Sequence, residues 1–180
     1  MTQALLIMDV QNGIVDRFGA AEAYLDRVVA AQQRAERAGL LVVLVRIAFA
    51  GHPEVSARNK SFSALAGNPG MTLGERAVEP HERLLRGNGE VVVTKKRVSA
   101  FAGSDLELVL RARDVTHLVL GGIATSGVVL STVRAAADQD YRLTVLADLC
   151  LDGDEEVHRV LTEKIFPRQA EVIPGADWRP

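Results

Sequence analysis

The 180-residue chain holds one cysteine, Cys150. A lone thiol excludes an intrachain disulfide framework and suits a reducing, cytoplasmic setting. Long apolar runs are missing as well. The longest have the length of a buried strand, far below the ~20 residues that cross a bilayer, and no basic leader precedes one. Neither a membrane span nor a secretory signal is therefore expected. Charge of one sign is absent: 21 basic against 23 acidic residues leave a net charge of −2, with no block that could form a tail or a nucleic-acid footprint. The histidines, His52, His81, His117 and His158, have neither His-x-His nor His-x₃-His spacing, so no zinc site is expected. Gly121-Gly122 lacks the G-x-G-x-x-G spacing of a nucleotide fingerprint, and no cofactor is expected. No internal repeat, low-complexity tract or Pro/Ser-rich linker divides the chain. What remains is one domain over residues 1–180 with a small molecule as its partner.

A hydrophobic content of 48% describes a well-filled core. A domain of this length buries roughly 70% of the surface its unfolded form exposes. Residues 4–10 are short, continuous and apolar, as a strand covered on both faces should be. Residues 20–38 carry a helical stripe at Tyr24, Val28, Ala31 and Ala35, with Arg34 and Arg37 near the end and Gly39 as the stop. Further strands are expected at 40–49, 90–94, 117–120, 143–147 and 170–173. Helices are expected from Ser104, where Ser104-Asp-Leu-Glu107 reads as a capping box, and over 126–138 and 154–166. Residues 51–74, punctuated by Asn, Pro, Gly and Ser, read as a long loop near the site. The alternation predicts an α/β, three-layer α-β-α, Rossmann-like doubly wound parallel six-stranded sheet. Ligands of such sheets lie beyond the carboxyl ends of the strands, where the strand order reverses. Asp9, Lys95, the 121–125 turn and Asp148 all fall at such ends. With strands one and four as neighbours, Asp9 and Thr125 face one crevice.

Asp9 begins where the first strand leaves the core, and a carboxylate there calls for a cationic partner. A helix-capping or loop-fixing aspartate would occupy the same place. Lys95-Lys96-Arg97 has the composition of a solvated edge. Its placement between Val91-Val92-Val93 and Ser99-Ala100-Phe101 turns one lysine inward. The 121–125 segment permits close backbone approach at its glycines and opens a helix whose first N–H groups lack partners.

Three segments together resemble the isochorismatase-like hydrolase family, the cysteine hydrolases. They are Leu5-Leu-Ile-Met-Asp-Val-Gln11, Val93-Thr-Lys-Lys-Arg-Val-Ser-Ala-Phe101 and Gly121-Gly-Ile-Ala-Thr-Ser-Gly-Val-Val-Leu-Ser-Thr132. The family draws an Asp, a Lys and a Cys from these segments in that order. By this resemblance Asp9 and Lys95 are the catalytic residues, with Gln11, Ile14, Ile123, Ala124, Thr125, Gly127 and Val128 against the substrate. Ile14 replaces the aromatic residue of many relatives. Val128 stands where the cysteine nucleophile is expected, and a hydrocarbon cannot attack. Cys150 is expected to be a buried small hydrophobe. Gly51-His-Pro-Glu54 does not reproduce the metal-binding Asp and His pair of nicotinamide-specific relatives. The resemblance further implies a cis Ile123–Ala124 bond, a structural role for His158, and a homodimer or homotetramer.

Two functions are consistent with these residues. One is a hydrolase working without a cysteine, on the pattern of isochorismatases: Asp9 protonates a vinyl ether and water captures the oxocarbenium ion. Lys95 lowers the pKa of Asp9 whereas a general acid needs it raised, so burial must restore it. The other is a catalytically silent family member that binds a small molecule.

Overall fold

The computed structural model describes residues 2–19, 22–51, 54–87 and 89–180. Strand β1 (Thr2–Met8) leads into a short helix α1 (Asn12–Phe18) and then α2 (Glu22–Arg37). β2 (Leu41–Ile47) is followed by an irregular stretch that contains one turn of helix, α3 (Ser63–Ala66), before β3 (Val91–Lys95). The second half runs α4 (Leu106–Arg111), β4 (Val115–Ile123), α5 (Leu130–Ala137), β5 (Arg142–Leu151), α6 (Glu155–Val160) and β6 (Glu171–Ile173). The six strands form one sheet in the order β3-β2-β1-β4-β5-β6. Every pairing is parallel. The expected doubly wound sheet is present, and β1 and β4 are neighbours. The order reverses between them, which opens the crevice at their carboxyl ends.

Side chains of a strand alternate between faces, and β1 shows what that does. Leu5 and Ile7 pack with Tyr24, Leu25, Val28, Ala31 and Ala35 of α2. Ala4, Leu6 and Met8 pack on the other face with Leu106 and Leu110 of α4 and Val133 and Ala136 of α5. Both faces of β1 are thereby sealed, the reason for its unbroken apolar sequence.

Several local expectations are corrected. The double glycine lies inside β4 rather than in the turn after it. A Cβ at Gly122 would stand 2.3 Å from the Met8 carbonyl oxygen, so only glycine lets β4 pass β1 there. Ser104-Asp-Leu-Glu107 forms no capping box. Asp105 is the N-cap without a side-chain bond, Ser104 Oγ donates to the Ala100 carbonyl, and Glu107 pairs with Arg111. The helices expected over 126–138 and 154–166 each contain one wide π-helical turn, Thr125–Val129 and Leu161–Ile165. Helix α1 falls where no helix was expected. Residues 20 and 21, at the start of the helix expected over 20–38, lie outside the described residues, as do His52 and Pro53. No helix among the described residues is long and apolar enough to cross a membrane.

Candidate active site

Asp9 is the first residue past β1, in a left-handed conformation with φ 57°. Its N–H donates to the Val45 carbonyl at 2.8 Å, which anchors the bend to β2. An aspartate tolerates this region better than most residues do. Lys95 ends β3, two strands away, and its side chain returns across β2. Its Nζ lies 2.9 Å from Asp9 Oδ2. A second bond, 3.0 Å to the Arg97 carbonyl, fixes the ammonium. The lysine is 2% exposed and the aspartate 6%, so the pair is withdrawn from bulk water.

Above the pair is a cavity of about 240 Å³. One wall is Ile14, Arg17 and Phe18 of α1; a second is Ile123, Ala124, Gly127 and Val128. Phe62, Leu65 and Met71 of the irregular stretch close it, with Ile47 and Val98 beside Lys95. Only Asp9, Lys95 and Arg17 bring charge to this lining.

Burial dominates the chemistry of Asp9. It raises the carboxyl above its ordinary value of 3.8, the charge and hydrogen bond of Lys95 pull it back, and the balance rests at about 6. The opposition between Lys95 and burial is thus resolved in favour of burial. Asp9 Oδ1 is buried with no hydrogen-bond partner among the described residues. Such an oxygen is costly to bury unpaired and can take up a proton or a polar atom of a bound molecule.

The remaining sequence-based candidates divide. Ile14, Ile123, Ala124, Gly127 and Val128 reach the cavity with Asp9 and Lys95. Gln11 and Thr125 are turned away from it. Gln11 is 1% exposed and fully engaged with backbone: Oε1 accepts from Ile47 N–H at 2.8 Å, and Nε2 donates to the Ile47 and Val78 carbonyls at 3.0 and 2.7 Å. It braces β2 against the segment before β3. Thr125 Oγ1 lies 2.9 Å from His158 Nδ1, tying the π-helical turn to α6. Asp152 holds the same turn, its Oδ2 accepting from Ser126 N–H at 2.7 Å. The Ile123–Ala124 bond is cis. Asp148 does not join the site; it accepts from Gly175 N–H and lies beside Arg27.

Cys150 is 5% exposed and belongs to the core cluster of Met8, Leu120 and Val129. Burial pushes its thiol up to about 12, so at neutral pH no thiolate forms. The cavity lining contains no cysteine.

The sequence profile of the Isochorismatase domain matches residues 3–177. The chain belongs to the isochorismatase family. Among its relatives, the isochorismatase family protein YecD of Escherichia coli O157:H7 is 29% identical over 174 residues, 95% of this chain and 91% of its own. Ureidoacrylate amidohydrolase RutB of Variovorax paradoxus is 31% identical over 176 residues, 81% of this chain and 67% of its own. Of solved structures, an isochorismatase family protein from Burkholderia thailandensis superposes with a TM-score of 0.81 at 27% identity, covering 98% of this chain and 93% of its own. A cysteine hydrolase from Pseudomonas syringae has the same fold, with a TM-score of 0.86 at 22% identity over 97% of this chain and 89% of its own.

Within this family fold, the cavity residues that sequence reasoning missed are Ile47, at the end of β2, and residues from two other places. Arg17 and Phe18 sit on α1, whose seven residues are too few to show a helical period. Phe62, Leu65, Met71 and Val98 come from irregular chain, where apolar residues without spacing carry no signal. The loop expected near the site, residues 51–74, does supply Phe62, Leu65 and Met71 to the cavity, although none of its residues was singled out.

Proposed function

We propose that this family member hydrolyses a small molecule without a thiol nucleophile, using Asp9 as general acid and base and Lys95 as its electrostatic partner. The observation that carries this reading is the Asp9–Lys95 pair at 2.9 Å on the floor of an apolar cavity, with Val128 in the wall. By resemblance Val128 occupies the place of the family's nucleophilic cysteine, and the chain's own thiol lies in the core. A carboxyl titrating near 6 is protonated often enough at neutral pH to donate and ionised often enough to recover its proton.

Vinyl-ether hydrolysis suits these parts best. Asp9 gives its proton to the enol ether, and the positive charge is shared between carbon and ether oxygen as an oxocarbenium ion. The carboxylate left behind is held by Lys95. Water adds to the cation and returns a proton to Asp9. The hemiketal then divides into an alcohol and a ketone, which balances substrate plus one water. No covalent bond to the protein is needed, so an apolar residue at 128 is no obstacle.

Isochorismate is the direct test, with released pyruvate followed by coupled oxidation of NADH. The expected result is release by the wild type and a loss of about 10²–10⁴-fold in Asp9→Asn. Absence of pyruvate at high enzyme concentration overturns the vinyl-ether assignment. Tight ligands found by thermal shift but never turned over would instead make the chain a binding protein. The relative named an amidohydrolase supplies a second probe. Val128→Cys is expected to gain cleavage of ureidoacrylate if the rest of the amide-cleaving machinery is intact.

A further inference from the structure

We infer that Arg17 selects substrates by gripping a carboxylate at the far end of an apolar body, an inference that rests on the cavity being the substrate site. Three features of the lining lead there. Asp9 and Lys95 satisfy each other's charge at 2.9 Å, so the floor offers no free cation. The cations just outside the lining are also engaged: Lys96 pairs with Glu54 at 3.1 Å, and Arg97 donates to the Glu54 carbonyl at 2.9 Å. Arg17 differs from them all. It lines the cavity, is exposed, and has no hydrogen-bond or ion-pair partner among the described residues.

A guanidinium with five unassigned donors beside an apolar wall is a receptor for a planar anion, and a carboxylate matches its fork. The charge count narrows the class. Arg17 alone meets the head group at the rim, so a phosphate monoester, with two charges on one head, would leave one of them unmatched. The body of the substrate then lies along Phe18, Phe62 and Val128, and its scissile bond reaches Asp9. Arg17 is thus a specificity residue at the rim, distant in role from the acid on the floor.

Calorimetry with non-hydrolysable probes tests this apart from turnover. Benzoate is expected to bind wild-type protein about tenfold to a hundredfold more tightly than benzamide, the range of one charge-assisted hydrogen-bonded pair. Phenyl phosphate is expected to bind more weakly than benzoate. Arg17→Met should bring benzoate down to the benzamide level while leaving benzamide unchanged, and Arg17→Lys should keep part of the preference. Both variants alter an exposed side chain, and their melting temperatures check folding. Equal binding of benzoate and benzamide, no binding of benzoate, a preference for phenyl phosphate, or an unaltered preference in Arg17→Met overturns the inference. Charge-selective binding in a protein that releases no pyruvate would sink the vinyl-ether reading and leave the Arg17 assignment standing.

Discussion

Replacing Lys95 with methionine tests the electrostatic logic of the site most sharply. The substitution keeps a long apolar stem and deletes the ammonium 2.9 Å from Asp9 Oδ2. Removing one partner of a buried pair costs about 3–5 kcal/mol when the other must stay charged. For a domain of this size each kcal/mol moves the melting temperature by about 2–4 °C, so a fall of about 6–20 °C is expected at alkaline pH. Asp9 can escape much of that cost by keeping its proton. Both influences of Lys95 lower the carboxyl, so in the variant it titrates above the wild-type value of about 6. Between the two values the variant holds a proton that the wild type has lost, and the variant's stability falls relative to wild type as pH rises. The difference grows by about 1.4 kcal/mol for each unit the carboxyl climbs. Below pH 6 both folded proteins carry the proton and the gap is at its smallest. Melting curves of the two proteins at pH 5 and pH 8 measure it, with Asp9→Asn/Lys95→Met expected to recover most of the loss at pH 8. A gap that is the same at both pH values, or a double variant no better than the single one, would refute the argument.

Other predictions rest on the same geometry. If Asp9 acts as the acid, kcat/KM is level below about pH 6 and drops tenfold per unit above it; a profile rising through that range would reverse its role. In stability the wild-type carboxyl, raised from 3.8 to about 6, favours the fold at low pH, and that contribution is lost as pH climbs through 6. Comparing wild type with Asp9→Asn by urea titration from pH 4 to 8 reads this slope. Iodoacetamide should leave native Cys150 unmodified at pH 8, and Cys150→Ala should keep full turnover at a stability loss of about 1 kcal/mol, measured by mass spectrometry and denaturant melts.

The sheet was legible because burial on both faces writes itself as short continuous apolar runs. A stretch such as Leu5 to Met8 has no side that could face water. The place of Asp9 was legible for a related reason, since a polar residue that ends such a run falls where parallel sheets place their ligands, whereas the choice of Lys95 over Lys96 came from the family resemblance. Partners of side chains were less readable. Nothing in the spacing of Gln11 says that it is consumed by Ile47 and Val78, or that Thr125 turns to His158. Those bonds join residues 33 to 67 positions apart, beyond any local pattern. Ser104 falls short of a capping box because the helix starts one residue later, with Asp105 as its N-cap, and its Oγ accepts from Leu106 N–H rather than from Glu107. The loop that roofs the cavity was expected near the site, but which of its side chains enter was hidden, because loop residues recruited to a site have no period to betray them.

Asp9 directly follows β1 and Lys95 ends β3, with β2 running between those strands, so their meeting bridges a strand rather than joining neighbours. The acid's strength is therefore wired into sheet alignment. Ile47 pairs with Lys95 across β2 and β3, while Val45 of the same strand grips the Asp9 amide. A slip of β2 by even one position would carry the cation off its acid and flip every core side chain of that strand toward the wrong layer. Mutational drift that loosened the pair in this way would also unfold the protein, so the fold itself stands guard over the acid's tuning.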